Sequence, residues 1–141
     1  MAKPRPILVP VDGSAGSLRA LALACERSRD RDGAQVIALN VQTPMPPSRF
    51  APAVDIREHH QRMAQEVFAR VAKAAKRQRT EVTQRMVIGM PAEMILREAV
   101  RSRASEIIMG TRGLGRLGGL LLGSVATKVV QLAKVPVTLV K

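Results

Sequence analysis

Behind the apolar run Ile107-Ile108-Met109 the chain turns glycine-rich, reading Gly110-Thr111-Arg112-Gly113, then nine residues, then Gly123-Ser124-Val125. A strand that empties into such a loop and then into a helix is suited to holding phosphate. Glycine lets the backbone approach an anion closely, and the first N–H groups of a helix supply donors and a positive partial charge. Charge agrees, because from Ile107 to Lys141 there is no Asp or Glu, only Arg112, Arg116, Lys128, Lys134 and Lys141. The chemistry on offer is the binding of a nucleotide's phosphates.

Other residues narrow that chemistry. Asp12, in Val11-Asp12-Gly13-Ser14, has two readings: it accepts hydrogen bonds from a ribose or approaches a phosphate-bound metal, or it caps the following turn or helix. Ser124 either donates its hydroxyl to a phosphate or caps the last helix, and Arg112 and Arg116 offer neutralising charge. Gly113-Leu114-Gly115-Arg116-Leu117-Gly118 fits the dinucleotide fingerprint in letters only. That site needs an acid about 20 residues on to hold the ribose hydroxyls, and the chain has none after Glu106. The Walker pattern is absent as well. His59-His60 is the sole histidine pair, and adjacent helical residues diverge, which disfavours a metal site. No Ser-His-Asp or Cys-His pairing is suggested, and no histidine lies near the glycine loop, so no built-in catalytic machinery is expected.

These residues need a scaffold, and the hydrophobic pattern supplies one. Residues 5–11 read as a buried strand, Leu18, Leu21, Ala22 and Cys25 as one face of a helix ending near Asp32-Gly33, and Val36 to Val41 as a second strand. Thr43 to Pro52 holds four prolines in ten residues and must be a loop or lid. A long helix follows, with Met63, Val67 and Val71 at steps of four beside Ala64, Phe68 and Ala75. Thr80 to Ile88 alternates like a strand open on one side, and Gly89-Met90-Pro91 opens a helix carrying Met94, Ile95, Ala99 and Val100. Glu106 to Met109 is a strand, Ser124 to Ala133 a helix and Val135 to Val140 a last strand. Strict βαβαβαβαβ alternation predicts an α/β fold with one doubly wound five-stranded parallel sheet, its crevice at the carboxyl ends of the strands. Asp12, Val41 and Gly110 all stand at such ends and should converge.

Composition sets the outer bounds. At 141 residues, 46% hydrophobic, the chain suits a single domain over 1–141. No apolar run approaches the roughly 18–20 residues that cross a bilayer, and the start, Met-Ala-Lys-Pro-Arg-Pro, has no signal-like segment. The expectation is a cytoplasmic protein without membrane contact. The lone Cys25 has no disulfide partner and is read as packing. The net charge of +12 invites a polyanion partner, yet the chain has two Phe and no Trp or Tyr to stack on bases. Much of the charge, in Arg27-Ser28-Arg29 and Lys73 to Arg79, is read as a solvated helical face, leaving nonspecific polyanion binding.

The motif of Gly110, Gly113, Gly123 and Ser124 resembles the signature of the ATP-binding branch of the universal stress protein family. The strand ending Val11-Asp12-Gly13-Ser14, the Gly89-Met90-Pro91 helix start and the closing Val135-Pro136-Val137 are similar too, so the resemblance spans essentially the whole chain. It implies a Rossmann-like, adenine-nucleotide alpha-hydrolase-like sheet of order 3-2-1-4-5. It implies ATP, with Mg2+ or Mn2+ held by the phosphates and adenine near Asp12 and the Val41 backbone. Gly110, Arg112, Gly113, Gly123, Ser124 and Val125 would meet ribose and phosphates, with Met109 lining the crevice. A homodimer through Val135 to Val140 and a further protein partner are implied, in a stress-response module with at most slow ATP hydrolysis. The alternatives are a nucleotide-independent dimeric adaptor or chaperone-like protein, or a nucleic-acid binder resting on charge alone. Ser105-Glu106 departs from the family pattern of Asp followed by an apolar residue, which puts local packing in doubt.

Overall fold

A computed structural model of the protein describes residues 3–48, 52–112 and 122–141. The elements run β1 (Ile7–Pro10), α1 (Ala15–Asp30), β2 (Val36–Gln42), α2 (Ala53–Arg77), β3 (Val82–Ile88), α3 (Pro91–Arg101), β4 (Glu106–Gly110), α4 (Ser124–Leu132) and β5 (Val137–Val140). All pairings are parallel and the five strands lie in the order β3-β2-β1-β4-β5, as expected. The sheet grows outward in both directions from β1, so connections reverse between β1 and β4, where the crevice of such a sheet opens.

The continuous apolar runs of the central strands arise because both sheet faces are covered. Ile7, Val9 and Ile108 pack with Leu21, Cys25 and Val71 beneath α1 and α2. The alternate residues Leu8 and Ile107 pack with Ile95, Ala99 and Val129 beneath α3 and α4. A one-residue slip of β1 or β4 would exchange these two cores.

Local differences from the pattern have physical causes. The buried stripe of α2 is Ile56, His60, Ala64, Val67, Val71 and Ala75, whereas Met63, expected inside, is 39% exposed. The steps of four through Met63 missed that His60 occupies a core position, with its Nδ1 3.5 Å from Gln42 Oε1. β3 does not alternate as predicted. It is an edge strand in which Ile88 is exposed and Arg85 half-buried, because Arg85 Nε lies 2.9 Å from Oε1 of the buried Glu98 on α3. The last strand begins at Val137 rather than Val135. Cys25 is fully buried, as its helical face predicted.

The departure at Glu106 is compensated by charge. Its buried carboxylate meets Arg27 Nη1 at 2.5 Å and Arg31 Nη1 at 3.0 Å and accepts from Thr138 Oγ1 at 3.2 Å, joining α1, β4 and β5 at the amino-terminal end of the sheet. Arg27, read as part of a solvated face, is thus an ion-pair partner.

Candidate functional site

Four chain segments meet at the carboxyl end of the sheet. Beyond β1 the backbone leaves the sheet at Val11, whose N–H donates to Leu39 O at 2.8 Å. It then turns through Gly13 at φ +85°, a left-handed conformation that favours glycine. The Gly13 carbonyl accepts from Arg70 Nη1 at 2.8 Å, tying the turn to α2. Asp12 Oδ1 accepts from Ser14 N–H at 2.9 Å, and Ser14 Oγ caps α1 by accepting from Ser17 N–H at 3.2 Å. Asp12 therefore does bind its turn, as one of its two readings held, while Ser14 is the helix cap. Its position on the cleft leaves the ligand-facing reading open as well.

At β4 the strand passes from buried Met109 through Gly110 to Thr111 and Arg112. Thr111 bridges both neighbours: its N–H donates to Val140 O at 3.1 Å and its carbonyl accepts from Gly123 N–H at 2.7 Å. The second bond brings the start of α4 back to the end of β4, closing the two ends of the glycine segment. Gly113 lies outside the described residues.

α4 is capped differently from α1. Its N-cap is Gly123, and among the described residues no side chain caps its first turn, nor does that turn hold an acid. Ser124 is the first helical residue, so the reading of Ser124 as a cap is corrected; its hydroxyl stands at the rim, exposed. The early N–H groups of a helix have no intrahelical acceptor, and here Ser124, Val125 and Ala126 line the cleft. Uncapped donors and the positive end of a helix dipole therefore face the same space as the Asp12 carboxylate.

The cleft between these segments has a volume of about 350 Å³, within the range of small-molecule sites. Its lining includes Asp12, Val41, Met109, Gly110, Arg112, Gly123, Ser124 and Val125, so every expected site residue that is described comes together. Pro91 and Ile95 from α3, Leu39 from β2 and Thr111 also line it. Motif reading missed these four. The helix-opening proline of α3 was the available signal, since in this topology a helix that follows a strand starts at the crevice end.

The Val41 peptide is placed by strand parity. Leu39 O faces β1, accepting from Val11 N–H, so two residues later the Val41 backbone faces the same side, past the end of β1. The Val11 carbonyl that would meet it accepts instead from Asn40 Nδ2 at 2.8 Å. Asn40 in turn accepts from Gln42 Nε2 at 2.7 Å. Asn40 was not singled out by sequence, and its 2% exposure marks it as an internal support of the crevice. No group of three or more His, Cys, Asp or Glu able to hold a metal occurs among the described residues.

The model of the "Universal stress protein family" matches residues 3–141. A Thermus aquaticus universal stress protein is 34% identical over 139 residues, covering 97% of this chain and 98% of its own. The structure of a universal stress protein from Archaeoglobus fulgidus superposes with a TM-score of 0.75 at 27% identity, over the whole of both chains. An Archaeoglobus fulgidus structure in complex with dAMP superposes with a TM-score of 0.70 at 27% identity, over 96% of this chain and 97% of that one.

Proposed function

The chain belongs to the universal stress protein family, and on that premise we propose that it is an ATP-binding regulatory module that works as a homodimer. The observation that carries this reading is the pairing of an uncapped α4 N-terminus with Asp12 across one cleft, joined by the Val41 backbone. The dAMP in the Archaeoglobus fulgidus complex supports an adenine nucleotide as the ligand class.

In this reading adenine lies over Leu39 and Val41, where a backbone N–H and carbonyl match the acceptor at its N1 and the donor at its N6. Guanine presents the opposite pattern at that edge. Asp12 accepts from ribose hydroxyls. Gly110, Gly123, Ser124 and Val125 meet the phosphates, with Arg112 supplying charge and Met109 the apolar floor. Bound Mg2+ or Mn2+ neutralises phosphate oxygens and is held chiefly by them, since the described rim offers Asp12 and no carboxylate cluster. The residues described here bind and orient; none activates a water, so the nucleotide acts as a state marker with slow turnover at most.

The dimer would form through β5. Its position at the sheet edge leaves one row of peptide groups unpaired by β4, and its four residues are all half-buried in the single chain. Pairing across Val135 to Val140 would cover that edge and set two nucleotide clefts beside a shared seam.

The test is denaturing extraction of purified protein with nucleotide chromatography, paired with calorimetric titration of ATP and magnesium into stripped protein, alongside GTP. Retained adenine nucleotide, or saturable micromolar ATP binding with GTP much weaker, is the expected result. A folded dimer that carries no nucleotide and ignores ATP would replace this reading with the nucleotide-independent adaptor.

A further inference from the structure

The fold sorts charge between its two ends. In a parallel α/β sheet every helix-to-strand connection lies at the amino-terminal end of the strands, opposite the crevice. Here those connections, taken with the last two residues of each preceding helix, are residues 29–35, 76–81, 100–105 and 131–136, with residues 3–6 leading into β1. Together they hold ten Lys or Arg and three acids, Asp30, Asp32 and Glu81. The described strand-to-helix segments at the crevice end, taken with the first two residues of each following helix, hold only Asp12 and Arg112 as charged residues. Much of the excess positive charge is thus gathered on the floor away from the nucleotide cleft.

Helix dipoles account for part of it. Four helices end on this floor, and each carries about half a negative charge there, about two in all. The floor's surplus of seven, reduced to six by the Glu106 carboxylate that Arg31 meets, leaves roughly four positive charges beyond dipole compensation.

Three of the guanidiniums are fixed by hydrogen bonds. Arg5 donates to the carbonyls of Arg103 and Ala104, each at 3.0 Å. Arg29 donates to Gln78 O at 2.8 Å. Arg31 joins Ser105 and Glu106. Each such bond uses one edge of the fork and leaves other N–H donors for an external oxygen anion. Arg79 and Arg103 stand at φ +51° and +55°, left-handed backbone just past the ends of α2 and α3, where glycine is the residue that fits without strain. Arginine in place of glycine at both gives this surface two further cations.

We propose that this floor binds the phosphodiester backbone of a nucleic acid. Fixed guanidiniums suit phosphate oxygens, and the chain's two Phe, with no Trp or Tyr, favour backbone over base contacts. The interaction is independent of the nucleotide cleft and lies on the opposite end of the sheet.

The experiment is fluorescence anisotropy with a labelled duplex across a salt series, using the intact protein. Each phosphate contact adds about 0.9 to the slope of log K against log salt. The double variant Arg79→Gly/Arg103→Gly relieves left-handed backbone, so it should melt no lower than the parent while its slope falls by about two. The control Arg57→Ser/Arg62→Ser removes the same charge from the exposed side of α2 and should leave the slope unchanged. ATP titration should be identical in all three proteins, which separates this test from that of the cleft. An equal fall in slope for both double variants would show diffuse attraction to net charge and overturn the proposal. Absence of duplex binding at low salt, or equal binding of poly-glutamate, would overturn it too.

Discussion

Gly110 and Gly123 belong to one motif, and the structure gives them different work, which a pair of alanine substitutions separates. A Cβ on Gly110 would stand 3.1 Å from the carbonyl carbon of Gly16, 3.3 Å from its oxygen and 3.3 Å from Ser17 N. All three atoms are backbone of the first turn of α1, so none can rotate away. The helix itself would have to shift by a few tenths of an ångström against β4, and Ser17 there is already buried and bonded to Ser14. Overpacking of this kind costs about 1–3 kcal/mol, equivalent to a fall of about 3–10 °C in Tm for a chain of this size. A Cβ on Gly123 meets Thr111 O at 3.5 Å and Arg112 Cα at 3.6 Å, ordinary contacts, and its φ of −71° suits any residue. Gly123→Ala should therefore melt within about 2 °C of the parent. Differential scanning calorimetry of the nucleotide-free proteins reads both values. If Gly110→Ala melts with the parent, or Gly123→Ala falls as far as Gly110→Ala, the assignment of Gly110 to helix–strand contact is wrong. Titration with ATP adds the second half: Gly123→Val should lose binding while staying folded, because the branched side chain would fill space at the mouth of α4 where phosphate is placed.

Asp12→Ala should weaken ATP by about tenfold or more, roughly 1.4 kcal/mol, and lower stability by about 1 kcal/mol through the lost Ser14 bond; a large melting loss with unchanged affinity would make Asp12 purely structural. Glu106→Gln keeps the shape of the side chain and removes the charge facing Arg27 and Arg31, costing about 1–3 kcal/mol in urea unfolding, and because it lies at the opposite end of the sheet it should leave ATP affinity intact. Burial pushes the Cys25 thiol above its ordinary value, so the folded state holds its proton longer than the unfolded chain. Stability from this group is complete below the unfolded thiol's pKa of about 8.5 and declines as pH rises through and beyond it. Melting between pH 7 and 10 should thus fall more steeply for the parent than for Cys25→Ala; parallel curves would refute the account.

Architecture was readable because period and punctuation agreed along the chain. Apolar runs such as Ile7-Leu8-Val9 and Ile107-Ile108-Met109 are short, continuous and followed by glycine or Asp-Gly, which favours buried parallel strands over any helix. Alternation with helical segments then leaves few topologies. The site was readable for the residues with special backbone or charge, Asp12, Gly110, Gly123 and Ser124, which the fold brings around one cleft. Pairwise polar contacts were not readable. His60 and Arg85 look like surface residues by type, and only the meeting of α2 with Gln42, or of α3 with the β3 edge, brings them partners. Asn40 is hidden for the same reason: an amide inside a strand looks like a weak point until the end of β1 places the Val11 carbonyl beside it.

Net charge alone carried the least information, and geometry changes what it means. Spread over a sphere, +12 gives salt-sensitive attraction with no address. Parallel α/β topology denies that uniformity, because it collects every helix N-terminus at one end and every C-terminus at the other. Basic residues near helix C-termini stabilise those helices, so local energetics draw them to the floor. The same rule draws acids to the crevice end, where Asp55 and Glu93 stand in the first turns of α2 and α3, yet neither lines the cleft, whose described charged residues are Asp12 and Arg112. An acid-poor rim is what an anionic ligand requires, since carboxylates lining it would repel phosphate. The two ends are therefore different in kind: at the crevice backbone N–H groups supply most of the positive potential, at the floor fixed side-chain charge does.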